Sequence, residues 1–143
     1  PNAWILNDPW GLQIAKIVTG GPDRISPDKQ PTYTQYWNNS YRLDAVVALE
    51  EYLETAMTPE TFAKVKQPVL MLYYYKDEAN QDNVVKVSAM LTMFEQLGSP
   101  ENLKKAVAMP KTGNHVLASP FKSNDAAGVE EQIESFLRTS VIK

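Results

Sequence analysis

The sequence predicts an α/β fold: two parallel strands with flanking helices, preceded by a helical segment. Three observations carry this. The run PVLMLYYY at residues 68–75 is almost wholly apolar or aromatic, the pattern of a strand covered on both faces. A second short strand at 103–109 is separated from it by a segment of helical periodicity at 84–97. A strand, a long crossover helix and a second strand pair in parallel, because a tight turn cannot join parallel neighbours.

Along the chain, Asp8 and Pro9 read as an N-cap followed by proline in the first helical turn. Trp10, Ile14, Ile17 and Val18 then recur at helical spacing, and Gly20-Gly21 ends that helix. Residues 22–39 are rich in Pro, Asp, Ser, Thr, Tyr and Asn, which predicts an irregular loop. Ser40 is placed to cap a second helix with Leu43, Val46, Val47, Leu53 and Met57 turned inward. Thr58-Pro59 opens a short helix through Phe62 and Val65. These features divide the chain into an aromatic-rich helical part, 1–61, and an α/β part, 62–143.

In the second part, the first strand is followed by the polar stretch KDEANQDN. Val87, Met90, Leu91, Phe94 and Leu97 mark one face of the crossover helix, with Gly98 fitted to its C′ position and Pro100 preventing continuation. Residues 110–123 form a turn-rich loop. Val129, Ile133, Phe136, Leu137 and Val141 define the apolar face of a closing helix.

Composition narrows the function classes. The 143 residues are 43% hydrophobic and 22% charged, which suits a globular core. Fourteen Lys and Arg against 17 Asp and Glu give a net charge of −3, without a basic block, so nucleic acid is not an expected partner. Cysteine is absent, which excludes disulfides, thiolate catalysis and Cys-ligated zinc. No cofactor or metal site is implied. No apolar run reaches the roughly 18 residues of a membrane span, and no signal peptide is present. The start at Pro1, without Met, reads as a cut start that has lost any targeting residues. The cytoplasm is then the default compartment.

Two side chains stand where chemistry is done in parallel sheets, beyond the carboxyl ends of the strands. His115, the single histidine, lies in the loop after the second strand, and its proton affinity suits acid–base work near neutrality. Asp82 lies in the loop after the first strand. Neighbouring strands are about 4.8 Å apart, so their loops can bring carboxylate and imidazole together. The carboxylate would fix one ring nitrogen as N–H and leave the other as a base. Asp82 could also cap the following helix. Spacing leaves Asp77 and Glu78, in the same loop, as alternative acids.

The segment VKQPVLML at 65–72, then Asp82-Asn83-Val84-Val85, then Gly113-Asn114-His115 and a terminal helix, resembles the last part of the α/β-hydrolase superfamily, bacterial members included. The order of acid before histidine is that family's order. The resemblance covers roughly residues 62–140 and implies a partial α/β-hydrolase fold. It implies His115 as general base and acid, with Asp82 as its orienting carboxylate. The stretch from Lys76 to Gln81 is longer than the family pattern. Residues 1–61 resemble the helical cap of such enzymes. Trp10, Tyr33, Tyr36, Trp37 and Tyr41 are then candidates for an apolar acyl pocket.

The family's nucleophile elbow, Gly-x-Ser-x-Gly, is missing: of the six glycines, at 11, 20, 21, 98, 113 and 128, no two lie four apart. Ser119 reads as a loop residue. The expectation is therefore the C-terminal fragment of a serine hydrolase of the esterase or lipase type. It would act on a small ester-like substrate and be inactive without the elbow. The alternative is a non-catalytic interaction domain that binds through an exposed sheet edge. The resemblance also implies that the strands preceding 68–75 are missing, so that this eight-residue strand keeps one unpaired edge and a homo-oligomer is expected; the alternative is a monomer in which residues 1–61 fold back over the edge.

Overall fold

A computed structural model describes residues 11–26 and 31–141. The expected cap at Asp8-Pro9, and Trp10, lie outside them. The chain separates into two compact units with the boundary between Thr58 and Pro59. Among the described residues, mixed helices and strands with one parallel strand pair are compatible with an α/β class.

The first unit opens with helix α1, Gly11–Thr19. The Gly20 amide donates to the Ile17 carbonyl and the Gly21 amide to the Lys16 carbonyl. With Gly20 at φ 74°, this is a Schellman ending, which favours glycine at the left-handed position. Ile17 and Val18 nevertheless stay exposed.

Residues 22–39 are not irregular throughout. Strand β1, Asp23–Ile25, pairs antiparallel with β2, Ser40–Arg42, and a short helix α2, Pro31–Tyr36, lies between them. Weak local strand propensity is overridden by pairing that only the returning chain supplies: the Ser26 amide donates to Asn39 and the Leu43 amide to Pro22. Ser40 is consequently a strand residue, not a cap.

Helix α3, Leu43–Ala56, begins instead after Arg42, whose guanidinium clasps Asp44 at 2.9 and 2.6 Å. Of the face read as inward, Leu43 is buried and Val46 and Val47 are half-buried, while Leu53 and Met57 are exposed. Helix α3 packs on α1 and β2, short elements that leave its later turns uncovered within this unit.

The second unit starts with α4, Pro59–Phe62. The apolar run then divides into β3, Val69–Tyr73, and β4, Tyr75–Asp77. Strand β4 turns back on β5, Asn80–Gln81, so the stretch expected as a loop is a small antiparallel hairpin. Its tip is an Asx turn: Asp77 Oδ1 accepts from the amides of Ala79 and Asn80 at 3.0 and 2.8 Å.

Helix α5, Val87–Gln96, leads through a 3₁₀ turn, Glu101–Leu103, into β6, Lys104–Ala108. Strands β3 and β6 are parallel, with Val69 opposite Lys104 and Tyr73 opposite Ala108. The side chain of Lys104 is buried, its ammonium 2.7 Å from Glu101 and 5.4 Å above the Phe94 ring.

Gly98 is not the left-handed cap expected of it: Leu97 leaves α5 in extended conformation, and the φ of Gly98 is not positive. Its role is close approach: a Cβ there would lie 2.1 Å from the Ala63 carbonyl oxygen. The next residue, Ser99, is buried and donates to the Gln67 carbonyl at 2.7 Å, tying the end of α5 to the entry of β3.

Helix α6, Ala126–Phe136, is capped by Asp125, which accepts from the Gly128 amide, and runs on as a π turn, Leu137–Val141. Val129 and Phe136 are buried, but Ile133, Leu137 and Val141 are 40%, 39% and 50% exposed. A two-stranded sheet is too narrow to cover that face. Leu70 and Leu72 of β3 with Leu117, Ile133 and Leu137 line an open apolar groove of about 450 Å³. Among the described residues no strand pairs with the second edge of β3, and no helix is long and apolar enough to cross a membrane.

Candidate functional site

The carboxyl end of β3 places both chemical groups. The Tyr73 carbonyl accepts from the Met109 amide at 2.8 Å, fixing the root of the loop that carries His115. The next carbonyl, Tyr74, accepts from the Asp82 amide at 3.0 Å. Asp82 and the root of the histidine loop thus hang from consecutive peptide groups.

Asp82 divides its two oxygens. Oδ1 accepts from the amides of Val84 and Val85, each at 2.8 Å. This Asx turn occupies the residues that would otherwise start α5, which is why the helix begins at Val87 after an N-cap, Lys86, that makes no side-chain bond. Oδ2 meets His115 Nδ1 at 2.6 Å. The Asp82 side chain is 3% exposed and the His115 ring 40% exposed. The acid is therefore sheltered while the ring reaches solvent.

Burial alone would push the Asp82 carboxyl up. The hydrogen bond from His115 and the two amides of Val85 and Val84 outweigh burial and hold it below the usual carboxylate range. An ionised carboxylate only accepts, so Nδ1–H donates to it and, in the neutral ring, Nε2 carries the lone pair. No described residue hydrogen-bonds Nε2. The arrangement can hold an oriented base.

The lowered value has a consequence for stability. A depressed carboxyl contributes fully above its unfolded value near 4 and loses that contribution as pH falls through the folded value. We predict that Asp82→Asn costs about 2 kcal/mol at neutral pH, the scale of hydrogen bonds to a charged group. The gap from the parent should narrow as the pH drops from about 5 towards 2. Urea unfolding across that range measures it, and a gap independent of pH would refute the charge-based account.

The alternative acids are occupied elsewhere. Asp77 forms the tip of the β4–β5 hairpin, and its carboxyl is lowered chiefly by the Asn80 side-chain amide. Glu78 accepts from the Tyr75 hydroxyl at 2.9 Å and from Gln81. Neither bonds His115. Ser119 is a turn residue: its Oγ accepts from the Phe121 amide and its carbonyl from Lys122 and Ser123.

The described aromatic candidates belong to the first unit. Tyr33 and Trp37 stack at 5.7 Å, Tyr36 meets Trp37 edge-on at 6.2 Å, and Tyr41 sits in β2. Tyr36 and Tyr41 are exposed. Among the described residues no three acidic or histidine side chains converge as a metal site.

The reading from sequence missed the Tyr73 and Tyr74 carbonyls and the Val84 and Val85 amides. Backbone groups carry no residue signature, although an Asp two residues before paired β-branched side chains was a signal for the Asx turn. No family model, no curated protein and no solved structure matches the chain.

Proposed function

We propose that residues 59–141 supply the acid and base of a serine hydrolase that acts on acyl esters. His115 is the general base and acid and Asp82 its orienting carboxylate. The observation that supports this best is the 2.6 Å contact between Asp82 Oδ2 and His115 Nδ1, with the ring exposed on its other side. In this reading Nε2 takes the proton of a serine hydroxyl as it attacks the ester carbonyl, then returns it to the leaving alcohol. Asp82 holds the tautomer and balances the imidazolium. The serine and the oxyanion donors come from residues outside this sequence, since its glycines cannot form the elbow.

Two polypeptides test the reading: this chain, and the longest reading frame of its gene that contains it. The chain alone should cleave p-nitrophenyl acetate no faster than free imidazole does. The longer polypeptide should turn over short acyl esters and be labelled by a fluorophosphonate on a serine. A longer polypeptide without a reactive serine would end the proposal. So would His115-dependent turnover by the short chain well above the rate of free imidazole, which would require a further nucleophile within it.

The second reading, an interaction module, rests on the bare β3 edge beside the apolar groove. Five uncharged residues with unpaired backbone groups form a template for a further strand. Light scattering at micromolar concentration should give a dimer or larger species, with two copies of β3 paired antiparallel about a two-fold axis. A monomer of 16.1 kDa with cooperative unfolding would count against it.

A further inference from the structure

We propose that Thr112 is a positioning residue for His115, its hydroxyl bolting shut the neck of the histidine loop. The proposal rests on the hydrolase reading only for its catalytic consequence, because its geometry stands independently. Thr112 is fully buried. Its Oγ1 donates to the Met109 carbonyl at 2.8 Å, and its own carbonyl accepts from the Asn124 amide at 3.0 Å. Met109, itself buried, is held by the Tyr73 carbonyl. A continuous chain of bonds therefore runs from the end of β3 through Met109 and Thr112 to Asn124, the residue before the cap of α6.

Between those anchors the chain leaves abruptly. Gly113 adopts φ 66°, and a Cβ on it would sit 2.8 Å from Asn124 Nδ2, so the bend is tight as well as left-handed. His115 follows two residues later, with Asn114 Oδ1 accepting from the Val116 amide at 2.9 Å. The loop has one fixed base, and the direction in which it launches sets where the ring lands.

The chemistry of position 112 argues for the hydroxyl rather than for bulk. A fully buried hydroxyl is costly unless bonded, and valine would fill nearly the same volume without that cost. The Oγ1 bond closes the turn from Met109 to Thr112 alongside a longer amide bond, 3.3 Å, between the same two residues. Without it the turn rests on the weaker bond alone. The imidazole, three residues beyond, is then free to swing off Asp82 Oδ2. A displacement of about 1 Å in a reacting group costs on the order of 100-fold in rate.

The test compares Thr112→Val and Thr112→Ser in this 143-residue chain. It uses ¹⁵N and downfield ¹H NMR of the ring, with the Asp82 carboxyl titrated by ¹³C. The parent should show the Nδ1–H tautomer with a proton signal that disappears in Asp82→Asn. Thr112→Val should lose or broaden that signal, and the Asp82 carboxyl should titrate higher, towards the usual range. Thr112→Ser should keep both signatures.

A folded Thr112→Val with the parent's signal and titration overturns the proposal. If Thr112→Val does not unfold cooperatively, Gly113→Ala decides instead, since it strains the same neck and should lose the signal while Thr112→Ser keeps it. A Gly113→Ala chain with the parent's spectrum then overturns the proposal equally. A parent with no Asp82-dependent signal refutes the dyad itself, so failure of the hydrolase reading is distinguishable from failure of this inference.

Discussion

Under the proposed hydrolase reading, His115→Ala in a longer polypeptide that carries the serine should lower kcat on short acyl esters by about a million-fold and leave KM nearly unchanged. Asp82→Asn should lower it by about ten-thousand-fold. The difference follows from what each group does. Without the imidazole nothing accepts the serine proton, and the alkoxide would have to form unaided. Without the carboxylate the imidazole remains, but its tautomer is no longer fixed. An amide at position 82 can donate to Nδ1, which leaves the proton on Nε2 and the ring unable to act as base. In that reading the serine, the base and the acid would work as one unit, so the double variant should be little worse than His115→Ala alone. Asp77→Asn and Glu78→Gln should stay within about twofold of the parent, because their side chains are spent in the β4–β5 hairpin. Steady-state kinetics on the five variants decides the assignment. A large loss at Asp77 with Asp82→Asn near normal would transfer the acid's role and sink the dyad described above.

The second large effect concerns stability and a residue far from the histidine. Gly98→Ala should destabilise the second unit by about 3 kcal/mol, a large part of a domain's usual 5–15 kcal/mol. The methyl group would lie 2.1 Å from the Ala63 carbonyl oxygen and 2.9 Å from its carbon. These are backbone atoms at the end of α4, held there because the Gly98 amide donates to the Phe62 carbonyl at 3.2 Å. Relief requires moving α4 away from α5, which also pulls Ser99 off the Gln67 carbonyl at the entry of β3. Gly98→Val should unfold the unit outright. The contrasting change is Gly21→Ala, where nothing lies within 4 Å and φ is ordinary. It should change stability by less than about 1 kcal/mol, and in the favourable direction, by restricting the unfolded chain. Urea midpoints measure both. A Gly98→Ala protein with the parent midpoint would mean that α4 and α5 are not in close contact.

How much of this was legible in the sequence differs from residue to residue. Element type was: the apolar run at 69–73, the periodicity through Val87 and Leu97, and the alternation that pairs β3 with β6 in parallel all follow from spacing that local backbone geometry imposes. So was the proximity of Asp82 to His115, because two loops leaving the same end of adjacent parallel strands have little distance between them. Burial was not. Ile133, Leu137 and Met57 have the right periodicity for a core, yet are exposed, since a helix face is buried only where another element stands opposite it. Nor was the fate of the polar stretch after β3, where Asp77 and Asn80 close a hairpin and leave Asp82 to the histidine. The sequence by itself determined which residues could be acid and base, and the order in which the elements carry them. The tertiary structure alone decided that one oxygen of Asp82 serves Val84 and Val85 while the other serves His115. That division depends on backbone groups common to every residue: the Tyr73 carbonyl takes the Met109 amide when β3 and β6 lie side by side, and the Tyr74 carbonyl takes the Asp82 amide when the chain folds back through β4 and β5.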